Sequence, residues 1–274
     1  MRRLNGRGLY GSDSTQVLKN SQTPDPIRGS TTMYLSDDFS GHGDPAETNR
    51  TLPDLVVFDL LGVLMRERPR IVACLSAALT TADLSVDAGE LAQLALSPTR
   101  PGIARLIHRR LRVSPEVARP LVGAIAEDFR ERVLGSFRHG EPILAAPGVA
   151  TLLAELTADG VHVGIDSDLD GELAIALIRR AGWSGTGLIE AVVGSDEVTA
   201  PRPAPGQIEE VRRRCGWGSD AVVVKVAGSP DDALAGIAAS CAWVCSVGSD
   251  RFPGVDSVSD LGELAERLLK RVLV

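Results

Sequence analysis

Four short segments place polar groups at the ends of apolar runs. In LVVFDLLGVL, Asp59 closes five residues of strand-like sequence and Gly62 follows. VHVGIDSDLD ends on Asp166, Ser167 and Asp168, and VTAPRPAPGQI holds Arg202 between two prolines. AVVVKVAGSPDD carries Lys225 inside a valine run, then Gly228, Asp231 and Asp232. These residue types can attack or hold an anion. A carboxylate serves as nucleophile or as ligand to a hard cation. A hydroxyl at a helix N-terminus sits where anions are already favoured, and a guanidinium grips oxyanions through a rigid fork of donors. Each residue also has a plainer role. Asp59 can cap a turn, and Ser167 can cap a helix that begins near Asp168 or Asp170. Asp166 and Asp168 read preferentially as surface caps, because adjacent carboxylates repel a phosphate unless a cation lies between. Arg202 has Asp196 and Glu197 as loop partners, and Lys225 suits a packed stem whose head reaches a sheet edge.

The elements that must position these groups follow from periodicity. After the first strand, residues 69–143 show apolar positions at three- and four-residue spacing with charges between them, and no convincing strand. From residue 144 helices and strands alternate: VHVGIDS, the short LIEAVVGSDEV, AVVVKVAGS and WVCSVGS are strands, and LGELAERLLKRVL is a terminal helix. Strands separated by helices imply a parallel sheet covered on both faces. In such α/β sheets the ligand site lies just past the carboxyl ends of the strands. The expected architecture is a Rossmann-like core, 53–68 plus 144–274, with residues 69–143 inserted as a helical cap. Residues 1–52 are rich in Gly, Ser, Thr, Asp, Asn and Pro and poor in aliphatics, and read as a disordered tail.

Composition narrows the partners. A net charge of -7 and a pI near 5.2 argue against nucleic acid, which requires a basic face. No apolar run is long enough to span a membrane, and the arginine-containing start lacks the apolar segment of a secretory signal. Cys74, Cys215, Cys241 and Cys245 have neither CxxC nor zinc-like spacing, and His42, His108, His139 and His162 are scattered. The expectation is a cytoplasmic protein with reduced thiols and a small-molecule partner.

The order of these segments resembles the haloacid dehalogenase superfamily of phosphohydrolases over residues 53 to about 250. Within it the likeness is nearest to phosphonatases and phosphonatase-like hydrolases, through the Arg-Pro stretch at Arg202, Ser167 at the hydroxyl position, and KVAGSPDDALAG with Lys225 and Gly236 in register. The resemblance implies that Asp59 is a nucleophile attacking phosphorus, that Ser167, Arg202 and Gly62 bind phosphate, and that Mg2+ is held by Asp59, the Leu61 backbone carbonyl and Asp232. It also places Arg100 at the cap position that meets substrate.

Departures from the family pattern bear on each role. Gly228 stands where an Asp ligand to the metal is expected, so magnesium binding should be weak and Gly228→Asp should strengthen it. Val63 replaces a phosphate-contacting Thr, and Leu61 replaces the general-acid Asp. Phosphonatases form an imine through a cap lysine near the place of Arg100, and a guanidinium stays protonated. Three readings remain open: a hydrolase acting on a small phosphorylated metabolite through Asp59, a catalytically inactive binding or regulatory protein, and a metal-free dehalogenase-like hydrolase. Apolar cap helices of this kind are compatible with a homodimer.

Overall fold

The computed structural model describes residues 52–96, 98–137, 142–249 and 251–269. The expected tail therefore lies outside the described residues, apart from Leu52, which packs half-buried against the main core.

Six strands form one parallel sheet: β1 (Leu55–Asp59), β2 (His162–Asp166), β3 (Ala191–Val193), β4 (Val223–Ala227), β5 (Trp243–Val247) and β6 (Asp256–Val258), in the order β3-β2-β1-β4-β5-β6. The apolar runs of β1 and β4 are buried along their whole length, as expected for strands with helices on both faces. Along β1 the side chains alternate, Val56 and Phe58 entering the main core and Leu55 and Val57 the smaller core beyond the opposite face. The sequence reading missed β6, a three-residue edge strand whose DSV carries no periodic apolar signal.

Four helices fill the interval between β1 and the rest of the sheet: α1 (Arg68–Thr81), α2 (Ala88–Leu96), α3 (Arg100–Leu111) and α4 (Pro115–Ser136). The chain leaves and re-enters the sheet layer side by side. Arg66 N donates to Leu144 O at 2.7 Å, and Ala146 N to Leu64 O at 2.9 Å. Buried Glu67 secures this crossing by accepting from Leu144 N at 2.6 Å and pairing with Arg70 at 3.0 Å. Arg70 in turn lies over the Phe137 ring, 4.5 Å from its centroid.

The remaining helices are α5 (Val149–Ala158), α6 (Gly171–Arg180), α7 (Gly206–Arg214), α8 (Pro230–Ala238) and α9 (Leu261–Leu269). Two of them start next to the carboxyl ends of strands with a side-chain cap. Asp170 Oδ1 accepts from Leu173 N at 2.7 Å, and Ser229 Oγ accepts from Asp232 N at 3.2 Å. No described helix is long and apolar enough to cross a membrane.

Candidate active site

β1 lies between β2 and β4, so the groups that end these three strands meet. Asp59 is in register with Asp166 on β2, and the turn after β4 brings Asp232 from the first turn of α8. Arg202, on the loop between β3 and α7, enters this space with a side chain only 1% exposed. Its Nη1 donates to Asp59 Oδ1 at 2.9 Å and to Asp168 Oδ2 at 2.8 Å. Its Nη2 donates to the Asp166 carbonyl at 3.0 Å and lies 2.8 Å from Asp166 Oδ1. Nε faces Asp232 Oδ1 at 2.9 Å, without the alignment of a hydrogen bond. One guanidinium thus meets four carboxylates. Lys225, fully buried on β4, pairs with Asp166 Oδ1 and lies 2.8 Å from Asp232 Oδ1.

Charge balance divides these acids. Two cations cannot neutralise four buried carboxylates, and a buried charge without compensation favours its neutral form. Desolvation accordingly raises Asp59, and raises Asp232 to about 8, against the pull of Arg202 and Lys225. For Asp166 burial also opposes ionisation, but its attraction to Arg202 and Lys225 prevails and holds its carboxyl below the usual carboxylate range. The acids hold Arg202 and Lys225 firmly protonated despite their burial.

A second guanidinium reaches the rim. In the turn after β1, Gly62 has φ +106°, a left-handed conformation that suits glycine. A Cβ there would sit 2.9 Å from Arg68 Nη2. That nitrogen donates to the Leu61 carbonyl at 2.9 Å and to the Gly228 carbonyl at 3.4 Å. Gly228 has its own spatial reason: a Cβ on it would overlap Asp59 Oδ2 and sit 3.0 Å from Leu61 O. The absent side chain leaves room for the Asp59 carboxylate as it lies.

These contacts test the expected magnesium ligands. Magnesium takes six oxygens in a near-octahedral shell, several of them from water. Here Asp59 Oδ1 accepts from Arg202, the Leu61 carbonyl from Arg68, and Asp232 Oδ2 from Gly228 N at 2.9 Å, while Asp232 Oδ1 faces Arg202 and Lys225. Donors of the chain itself hold Asp59 Oδ1, the Leu61 carbonyl and Asp232 Oδ2, one oxygen of each expected ligand. As arranged, the set does not fit a divalent ion.

A protein-family model for haloacid dehalogenase-like hydrolases matches residues 53–240, more than half of the chain. The chain belongs to the haloacid dehalogenase-like hydrolase family. No curated protein sequence matches it. Solved structures share the fold. A mutant CbbY from Rhodobacter sphaeroides in complex with xylulose-(1,5)-bisphosphate superposes with TM-score 0.65 at 19% identity, covering 78% of this chain and 96% of the other. CbbY in complex with phosphate gives 0.61 at 20% identity, with the same coverage of both chains. A HAD-superfamily hydrolase of subfamily IA, variant 1, from Geobacter sulfurreducens gives 0.54 at 17% identity, covering 81% of this chain and 99% of the other.

Within this haloacid dehalogenase-like fold, several sequence expectations need correction. Asp166 and Asp168 are not surface caps: both are buried and grip Arg202. The neighbouring cation that the repulsion argument lacked comes from a loop 34 residues beyond Asp168. Arg202 does not pair with Asp196 or Glu197, which instead accept from Gly171 N and pair with Arg214. Lys225 reaches no sheet edge, and Ser167 does not cap α6, a role that falls to Asp170. Ser167 is buried, its Oγ accepting from Leu169 N at 3.2 Å. Arg100 is exposed at the first residue of α3, outside the buried cluster.

Two participants were missed. Arg68 carried no motif that set it apart from the other arginines of the sequence. Gln207 carried no motif, yet it is buried and donates to the Ser167 carbonyl at 2.8 Å while its Oε1 accepts from Arg202 N at 3.4 Å. Its place five residues after Arg202, in the first turn of α7, is the one signal that could have found it.

Proposed function

We propose that the protein acts on a small phosphorylated metabolite at the carboxyl end of its sheet, as a hydrolase with Asp59 at the nucleophile position. The observation that supports this is the meeting of Asp59, Arg202 and Asp232 past the ends of β1, β2 and β4, where open parallel sheets take their ligands. In the reaction a carboxylate oxygen of Asp59 bonds to phosphorus as the bond to the leaving oxygen breaks. Water then cleaves the aspartyl-phosphate to release phosphate and regenerate the carboxylate. The chain's own groups have defined tasks in this scheme. Arg202 Nη1 turns from Asp59 Oδ1 to an oxygen of the phosphate, a donor already in reach, and Asp59 gives up any proton before it attacks. The exposed Gly62 turn gives the phosphate an approach beside the nucleophile. The cap would set the choice of substrate, with Arg100 as a candidate contact.

A second reading, an inactive binding or regulatory protein, draws on a specific observation. The Asp59 side chain is 4% exposed and tied to Arg202, and burial raises its pKa, both of which oppose nucleophilic attack. One experiment separates the two: hydrolysis of a panel of small phosphate esters, with and without Mg2+, by the native chain and by Asp59→Asn. The hydrolase reading expects phosphate release by the native chain that Asp59→Asn abolishes. Equal inertness of both proteins, with the same esters still raising the melting temperature, selects the binding reading.

A further inference from the structure

The closed cluster raises a question separate from turnover, namely what balances its charge. We infer that Arg202 is the permanent counter-cation of this site, and that the carboxylates of Asp59, Asp166, Asp168 and Asp232 form a cage for a guanidinium, so that the fold does not depend on a divalent ion. The cage is specific in shape. Arg202 presents donors in one plane, and oxygens from β1, from the β2 end and from α8 surround them at 2.8 to 3.0 Å, the one from α8 as an ion pair without a hydrogen bond. A planar fork satisfies partners spread around its edge, whereas a small hard ion draws oxygens into a tight octahedron. Among the described residues no group of three His, Cys, Asp or Glu is arranged so that it could hold a metal ion.

Two further contacts make the arrangement consistent. Lys225 supplies the second buried charge from beneath, between Asp166 and Asp232. Arg68 takes the Leu61 carbonyl from the rim at 2.9 Å. Gly228 completes the set by leaving room for Asp59 Oδ2. Gly228 and Arg202 thus act on the same carboxylate, the glycine leaving room for Asp59 Oδ2 and the arginine holding Asp59 Oδ1. The inference stands whether or not Asp59 hydrolyses an ester, because it concerns what holds the site together.

The test is thermal unfolding of the full chain. For the native protein, chelator and millimolar MgCl2 should each leave the melting temperature unchanged. Arg202→Ala should lower it by roughly 10 °C, since removing one partner strands buried charges. Millimolar guanidinium should restore part of that loss, and MgCl2 or NaCl at equal ionic strength should not. Arg202→Lys, which keeps the charge without the fork, should fall between the native chain and Arg202→Ala. Stabilisation of the native chain by Mg2+, its loss of stability in chelator, rescue of Arg202→Ala by Mg2+ instead of guanidinium, or an Arg202→Ala as stable as the native chain would each overturn the inference. If Arg202→Ala does not fold, the native chain with and without Mg2+ and the rank of Arg202→Lys decide the matter.

Discussion

At the scale of single residues, the site is a problem in charge placement. Lys225 shows the cost of disturbing it. Lys225→Met keeps the stem and removes the charge, leaving Asp166 and Asp232 with Arg202 alone; a loss of about 3–5 kcal/mol in urea unfolding is expected. A loss below about 1 kcal/mol would mean that the ammonium is not needed for charge balance. Gly228→Asp has changed its meaning. Sequence reasoning expects it to strengthen magnesium binding, but a Cβ at 228 overlaps Asp59 Oδ2. The expected outcome is now a destabilised protein, by about 1–3 kcal/mol, with no gain in Mg2+ affinity by titration calorimetry. The positions of Asp59, Ser167, Arg202 and Asp232 were legible because each ends or follows a strand. Their partners were not, because the contact between Arg202 and Asp59 spans 143 residues of chain and one sequence carries no sign of which carboxylate meets which cation.

At the scale of elements, glycines mark where helices press on the sheet. Gly164 on β2 faces α7, and a Cβ there would overlap Val211 Cγ1. Gly194, just past β3, is tighter, since its Cβ would overlap the backbone N and Cα of Gly171 at the start of α6. A side chain can change rotamer and a backbone cannot, so Gly164→Ala should cost about 1–2 kcal/mol and Gly194→Ala about 3 kcal/mol or more. Chemical denaturation of the two variants checks the order; equal costs would mean that the start of α6 yields as easily as a valine. The alternation of strand and helix was readable from periodicity, and so was the run of inserted helices. The edge strand β6 was not, because it is three residues long and DSV lacks the apolar pattern that would announce it, although Val258 is buried in the main core.

For the molecule as a whole, burial of its thiols couples stability to alkaline pH. Desolvation raises Cys215 and Cys241 to about 11 and Cys245 to about 12, above the 9.0 of an ordinary thiol. Between these values and 9.0 the unfolded chain releases thiol protons that the folded chain keeps, so the folded state binds more protons and stability falls as pH rises. Melting temperature should therefore decline from about pH 9 upward, and a Cys245→Ala variant should decline less steeply. Alkylation by iodoacetamide at neutral pH should be slow in the native protein and fast in urea; rapid labelling of Cys245 in the native chain would contradict its burial on β5. One side chain also joins the two layers of the fold. Arg68 Nη1 donates to the Ala95 carbonyl on α2 at 3.4 Å, while its Nη2 holds the Leu61 and Gly228 carbonyls on the sheet side. The turn that flanks Asp59 and the end of α2 therefore share one side chain. One guanidinium thus ties the helical layer to the backbone beside Asp59.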